Sequence, residues 1–335
     1  MKAQLKPRLD LFDRLELRKV IPLVTPYVIY IDPCDQCNFQ CKFCPTGDRE
    51  LMKKIPGRQH GPMEFEKFKK LIKAVNEFEE KVKVIRLYKD GEPLLNPRLA
   101  DMISFAKEAN CCEKIDTTTN ASLLSPALSR SLIEAGLDRI NISVEGINAA
   151  QYQDFSGIKL DYDKFVKNIA YFYEHRQGCE MNIKINGDIL TEEQTKHFFK
   201  TFGDITDGIF IEHAIDYWPT FKQEKVEINQ DIGILGHQAK EVKVCPYVFY
   251  EMAINSDGSY SMCRFDWKRV LILGRDMGIY ASPKKIWNSI ILWSFQQRFL
   301  RLERDSFFYC ANCGEMKQGL TEDLDEFAEE LLEKM

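Results

Sequence analysis

Apolar residues along this chain follow two different periods. Short runs dominated by β-branched and aromatic residues read as strands. They fall at 27–32 (YVIYID), 83–88 (KVIRLY), 114–119 (KIDTTT), 139–144 (RINISV), 181–190 (MNIKINGDIL) and 207–214 (DGIFIEHA). Between them apolar positions recur every three or four residues, the period of an amphipathic helix. At 65–78, Phe65, Phe68, Leu71, Ile72, Val75 and Phe78 share one helical face. Further helices are predicted at 97–110, 125–136, 162–175 and 191–202, the second of these opening on Ser125 and closing on Gly136. Six strands separated by helices predict an α/β fold with a parallel sheet, because parallel neighbours need a crossover connection. Six units are too few to close an eight-stranded barrel. A partial (β/α)6 barrel is expected, with its active site at the C-terminal ends of the strands.

After residue 220 the pattern changes. AINSDGSYSM (253–262) reads as a hairpin turning at Asp257-Gly258, and 283–303 as one or two helices. In the tail, Leu320, Leu324, Phe327 and Leu331 share one face opposite a run of acids, which predicts an amphipathic helix packed on the body. The expected organisation is a lead-in over 1–26, partly helical, a partial barrel over 27–220, a small cysteine-rich α+β domain over 221–319 and a helix over 320–335. The stretch 53–60 (KKIPGRQH) reads as a basic surface loop.

Composition narrows the function classes. At 44% hydrophobic and 29% charged over 335 residues, the chain is globular rather than disordered. A net charge of −5 gives no general attraction to phosphate backbones, so no nucleic-acid partner is expected. No apolar run approaches the roughly 18 residues of a membrane helix, and the N-terminus lacks the apolar core of a secretory signal. A cytoplasmic protein without a membrane partner is expected. In that reducing compartment, eleven cysteines point to metal or redox chemistry rather than disulfides.

Two cysteine arrays stand out. The first, Cys34-Asp-Gln-Cys37-Asn-Phe-Gln-Cys41-Lys-Phe-Cys44-Pro45, directly follows the first strand. Zinc ribbons separate their cysteine pairs by about 12–20 residues. Only three residues lie between Cys37 and Cys41, which is cramped for that geometry. A ferredoxin run orders its gaps differently. The second array is Cys245, Cys263, Cys310 and Cys313. Its spacing alone leaves a four-cysteine zinc site and an iron–sulfur cluster both open.

The subset Cys37-x3-Cys41-x2-Cys44, with Phe43 before the last cysteine, resembles the radical S-adenosylmethionine (SAM) superfamily. The resemblance implies that three thiolates hold a 4Fe-4S cluster whose fourth iron is left open for SAM, and that one electron then yields a 5′-deoxyadenosyl radical. Cys34 is expected to be a bystander. Gly91-Glu92-Pro93 resembles the end of the family's Gly-Gly-Glu turn, with Asp90 replacing the first glycine. Thr119-Asn120-Ala121 resembles its Thr-Asn-Gly segment, and Ser143-Val144-Glu145-Gly146 its Ser-Leu-Asp-Gly segment. These matches imply cofactor contacts from Phe43, Gly91, Glu92, Asn120 and Ser143, with Glu145 at the rim.

The second array resembles the front part of a SPASM domain, and more closely the reduced twitch version. Leu273-Gly274 and Ile286-Trp287-Asn288-Ser289 match the intervening segment. The resemblance implies one auxiliary 4Fe-4S cluster on Cys245, Cys263, Cys310 and Cys313. It also implies a reducing electron donor of flavodoxin or ferredoxin type. The expected activity is hydrogen abstraction from a small polar substrate of sugar or aminocyclitol type, ending in oxidation or epimerisation. With 26 residues before the first strand, a peptide substrate is the second expectation, and a non-catalytic iron–sulfur or zinc protein the third. Cys111, Cys112 and Cys179 read as small hydrophobes, although one of them or Cys34 could serve an epimerase as hydrogen donor. Glu212, His213, Tyr217 and Trp218 follow the sixth strand and read as structural before substrate-facing.

Overall fold

The computed structural model describes residues 1–7, 15–222, 227–275, 282–319 and 321–335. Ten strands form one sheet: β1 (Gln4–Leu5), β2 (Val28–Ile31), β3 (Val82–Arg86), β4 (Cys112–Thr119), β5 (Arg139–Val144), β6 (Glu180–Asn186), β7 (Gly208–Glu212), β8 (Glu251–Ile254), β9 (Tyr260–Ser261) and β10 (Ile272–Gly274). Their spatial order is β1-β7-β6-β5-β4-β3-β2-β8-β9-β10. Every pairing from β1 through to β8 is parallel. The six predicted barrel strands are all present, in sequential order, so the partial-barrel expectation holds.

Each strand sends alternate side chains to opposite faces. On β5, Ile140, Ile142 and Val144 are buried in the main apolar core. That core includes Phe165 and Ile169 of the helix Tyr162–His175. Their neighbours Arg139, Asn141 and Ser143 take the other, inner face. There Arg139 pairs with Asp116 at 2.7 Å, and Asn182 donates to Asn141 at 3.4 Å. One face of the sheet is thus apolar under helices, and the inner face is polar at its centre.

Two expectations are corrected in their bounds, and two gain a pairing. The lead-in is partly helical, with a single turn at Leu17–Val20, and Gln4–Leu5 adds an edge strand to β7. The hairpin at 253–262 forms around Gly258, at φ +88°, but its first strand β8 pairs in parallel with β2. The cysteine-rich region therefore extends the barrel sheet instead of building its own. The predicted strand 181–190 stops at Asn186, because the Asn186 side chain accepts from Asp188 N and starts a 3-10 turn, Gly187–Ile189. The tail helix begins at Ala328, after a 3-10 turn at Asp325–Phe327. The Asp325 carboxylate is taken by the Lys243 and Val244 amides, while Leu324 and Leu331 are fully buried as expected. Leu320 lies outside the described residues. Among the described residues no helix is long and apolar enough to cross a membrane.

Candidate functional site

The loop after β2 runs across the C-terminal ends of the strands. Cys37, Cys41 and Cys44 line one cavity of about 170 Å³ there, together with Phe43, Gly91, Glu92, Asn120, Ser143 and Glu145. All the cofactor-contact residues expected from sequence are therefore brought together. Cys34 is buried, bridges to Pro62 and does not line this cavity. Burial pushes the Cys37, Cys41 and Cys44 thiols upward, and each is raised further by a neighbouring cysteine or carboxylate. Without metal they are protonated thiols; a bound cation would deprotonate them outright.

The cysteine loop rests on a helix that the periodicity did not reveal, Ala149–Ser156. Gln40 N donates to Ser156 O at 2.8 Å, and Lys42 N to Phe155 O at 3.2 Å. The Cys41 thiol meets the Ser156 hydroxyl at 3.6 Å, and Phe39 packs edge-on against Tyr152. With only eight residues and a weak apolar stripe, this helix gives little sequence signal. Its start could have been read from Asn148, whose side chain accepts from Gln151 N.

The Gly91-Glu92 turn is set by close backbone approach. A Cβ on Gly91 would stand 2.2 Å from both the Cys34 and Gln36 carbonyl oxygens. Glu92 N donates to Gln36 O at 2.8 Å, fastening the turn to the cysteine loop. The Glu92 carboxylate accepts from Thr119 Oγ1, Leu94 N and Asn120 N. Burial pushes it up to about 7 against those donors. It joins the β3 turn to the β4 turn, a role the sequence did not suggest. Asn120 reaches Cys37 Sγ at 3.9 Å and Asn38 Oδ1 at 2.9 Å. Ala121, standing where the resembling family has glycine, is buried in the left-handed region at φ +58°. Glu145 is only 6% exposed, and no hydrogen bond to its carboxylate is seen among the described residues. Burial pushes it up to about 7, Lys184 opposes that, and Glu212 adds to it. Lys184 lies 3.0 Å from Glu212.

Cys245, Cys263, Cys310 and Cys313 line a second, smaller cavity of about 30 Å³. Burial raises all four thiols; neighbouring cysteines add to it for Cys245, Cys263 and Cys310, the last at about 12, and Glu315 adds to it for Cys313, at about 11. Arg304 fixes the chain around them by donating to the Lys243 and Cys310 carbonyls. Arg264 pairs with Glu251 and Glu315 and packs on the Tyr247 and Phe265 rings, so this site abuts the inner face of the sheet. Among the described residues no three or more His, Cys, Asp or Glu side chains converge as a single-ion site. Trp218 lines the first cavity and packs edge-on against Phe265, which lines the second. His213 faces away, bonded to Asp188 at 2.7 Å.

Among the described residues, one carboxylate behind the loop lacks a hydrogen-bond partner. Both Asp32 oxygens are buried without a hydrogen bond. Burial, then repulsion from Asp90 and Asp35, pushes Asp32 up to about 7, against attraction from Lys89 and Arg269. The folded chain then binds more protons than the unfolded chain between the usual 3.8 and about 7, so this contribution to stability falls as pH rises through that window. Asp32→Asn is expected to flatten that fall and to stabilise the protein above about pH 7 by on the order of 2 kcal/mol. Melting curves of both chains across the window measure it.

Comparisons agree with this arrangement. Residues 31–202 match the Radical SAM superfamily. The chain is 33% identical over 126 residues to a GTP 3′,8-cyclase of Crocosphaera subtropica, covering 37% of this chain and 35% of that protein. It is 27% identical over 123 residues to a tungsten-containing aldehyde ferredoxin oxidoreductase cofactor-modifying protein of Pyrococcus furiosus, covering 37% and 32%. The matched stretch spans about a third of these relatives. Among solved structures, BtrN in complex with AdoMet and 2-DOIA superposes with a TM-score of 0.57 at 17% identity, covering 89% of this chain and 97% of BtrN. Streptococcus suis SuiB bound to precursor peptide SuiA gives 0.56 at 14%, covering 90% and 72%. At such identities the likeness is one of fold.

Proposed function

The chain belongs to the radical SAM superfamily, a family of enzymes that bind a 4Fe-4S cluster and SAM, and on that premise we propose which residues do this and on what substrate. Cys37, Cys41 and Cys44 hold the cluster, and Cys34 stays outside. When bound, the cluster and SAM supply a one-electron cleavage that generates a 5′-deoxyadenosyl radical. The residues fit that group: three thiols line one cavity, and Gly91, Glu92, Asn120 and Ser143 border it. Gly91 brings the turn against the cysteine loop, Glu92 holds the β3 and β4 turns together, and Phe43 and Trp218 close the cavity with aromatic surface.

We assign the second cysteine set to an auxiliary 4Fe-4S cluster. Four cysteines lining one small cavity, in a spacing that resembles the twitch domain, support that reading. Anaerobic reconstitution is expected to load about eight irons per chain, and the Cys310→Ser/Cys313→Ser variant about four. That variant should still release 5′-deoxyadenosine from SAM.

The substrate reading is a small polar molecule of sugar or aminocyclitol type, losing or inverting a hydrogen at carbon. The observation that carries it is the polar inner face running from the first cavity: Thr118, Asn141, Ser143, Glu145, Lys184 and Glu212 offer donors and acceptors suited to hydroxyl and ammonium groups. The fold likeness to BtrN, solved with 2-DOIA, points the same way. A peptide side chain is the second reading, favoured by the fold likeness to SuiB with its precursor peptide. Reduced protein and SAM are incubated with a polyol and aminocyclitol panel and, separately, with a peptide panel. Substrate-stimulated 5′-deoxyadenosine release with loss of two hydrogens, or inversion without mass change, in the first panel supports the proposal. Stimulation by peptides alone overturns it.

A further inference from the structure

We propose that Asp90 is a positioning residue that latches the Gly91-Glu92 turn to the C-terminal cysteine-rich region, so that the turn holds its SAM-binding shape only while that region is docked. The inference rests on the site reading above.

Asp90 stands where the resembling family has the first glycine of its Gly-Gly-Glu turn, and a glycine has no side chain to anchor. Here the Asp90 side chain is fully buried among charges from its neighbour Lys89 and from two distant segments. Arg58 Nη1 lies 3.2 Å from it, Lys89 Nζ 2.8 Å and Arg269 Nη2 3.9 Å. Arg58, expected on a surface loop, is instead buried, with its side chain fully enclosed. It also donates to Trp267 O at 3.0 Å and to Asp35 O at 2.9 Å. Arg269 reaches Asp35 at 3.3 Å and the hairpin residue Asp257 at 3.0 Å. The Asp35 carboxylate accepts the Gln59, His60 and Gly61 amides. Asp90 therefore joins the 57–61 loop, the Cys34–Cys44 loop and the 263–269 segment that carries Cys263. Its own carbonyl accepts from Thr46 Oγ1 at 2.7 Å, just past Cys44.

The energetics make this a latch rather than ordinary packing. Arg58, Lys89 and Arg269 compensate Asp35 and Asp90 only when every segment is in place. Removing one member of a buried ionic set strands the others without water, which is strongly destabilising. The strain lands on the turn, because Gly91 has no room to shift: Cys34 O and Gln36 O sit against it. Undocking of the 263–269 segment is thus transmitted through Arg269 and Arg58 to Asp90, and from there to Gly91, Glu92 and the cysteine loop. The span is short and every link is a direct contact.

The test compares Asp90→Asn, Arg269→Gln and the double variant. Amide hydrogen exchange is followed on the iron-free chain at 34–47 and 89–92. SAM affinity is measured by equilibrium dialysis on the reconstituted protein. Each single variant is expected to speed exchange in both segments and to weaken SAM binding, by about tenfold, and the double variant to go no further than the worse single. Arg269→Lys, which keeps the charge, should recover part of the affinity and stands in should Asp90→Asn not fold. Unchanged exchange and SAM affinity in variants that melt like the parent overturn the latch, as do single effects that multiply in the double. Exchange is read without cofactor, so a parent chain that never binds SAM would sink the site reading and leave the latch decided by exchange.

Discussion

Replacing Cys44 with serine is expected to abolish 5′-deoxyadenosine release while leaving about half of the iron in place. Disturbing only the groups around a metal's ligands commonly costs 10–100-fold, so losing a ligand should exceed about a hundredfold. Cys44 lines the first cavity with Cys37 and Cys41, and its thiol acts electrostatically on both. The remaining iron would sit on Cys245, Cys263, Cys310 and Cys313, which line a separate cavity. Cys34→Ser is the matched comparison. Cys34 lies outside the cavity and should be replaced without loss of iron. Iron assay and chromatography of the nucleoside products check both variants. Equal losses from Cys34→Ser and Cys44→Ser would contradict the ligand assignment.

Gly91→Ala is expected to lower SAM affinity by about tenfold or more and to destabilise the protein by about 3 kcal/mol, the upper end for overpacking. The added Cβ would meet two backbone carbonyls at 2.2 Å, and backbone cannot step aside as a side chain can. Relief requires the 34–36 segment and the turn to separate, which breaks the bond from Glu92 N to Gln36 O. Gly146→Ala provides the contrast. Its nearest neighbour would be Gln151 Cβ at 2.8 Å, on a helix that can adjust, so a smaller effect on both measurements is expected. Dialysis and melting temperature report the two effects separately.

The barrel was legible because β-branched strands and amphipathic helices alternate, and each pattern carries its own period. Strand ends were less so. Asn186 ends β6 by a side-chain cap that apolar periodicity does not register. The cysteine spacings located both cavities, since thiols that share one group must lie close along the chain or on adjoining loops. What stayed hidden depends on pairing between distant segments. Arg58 sits in a run of basic residues and reads as solvated, yet its partners Asp35, Asp90 and Trp267 lie on three other segments. The parallel pairing of β8 with β2 was hidden for the same reason: a short apolar run does not say which edge it will join. Glu92 shows the mixed case. Its place at a strand end was readable, but its bonds to Thr119 and Asn120 needed the neighbouring strand.

The most direct measurement is electron paramagnetic resonance of the Cys310→Ser/Cys313→Ser variant, reduced and then mixed with SAM. This variant isolates the N-terminal cluster. A signal that shifts on addition of SAM is the predicted result, because three cysteines leave one iron free to take the ligand. A signal identical with and without SAM would mean that every iron already has its full set of protein ligands, and would contradict the account.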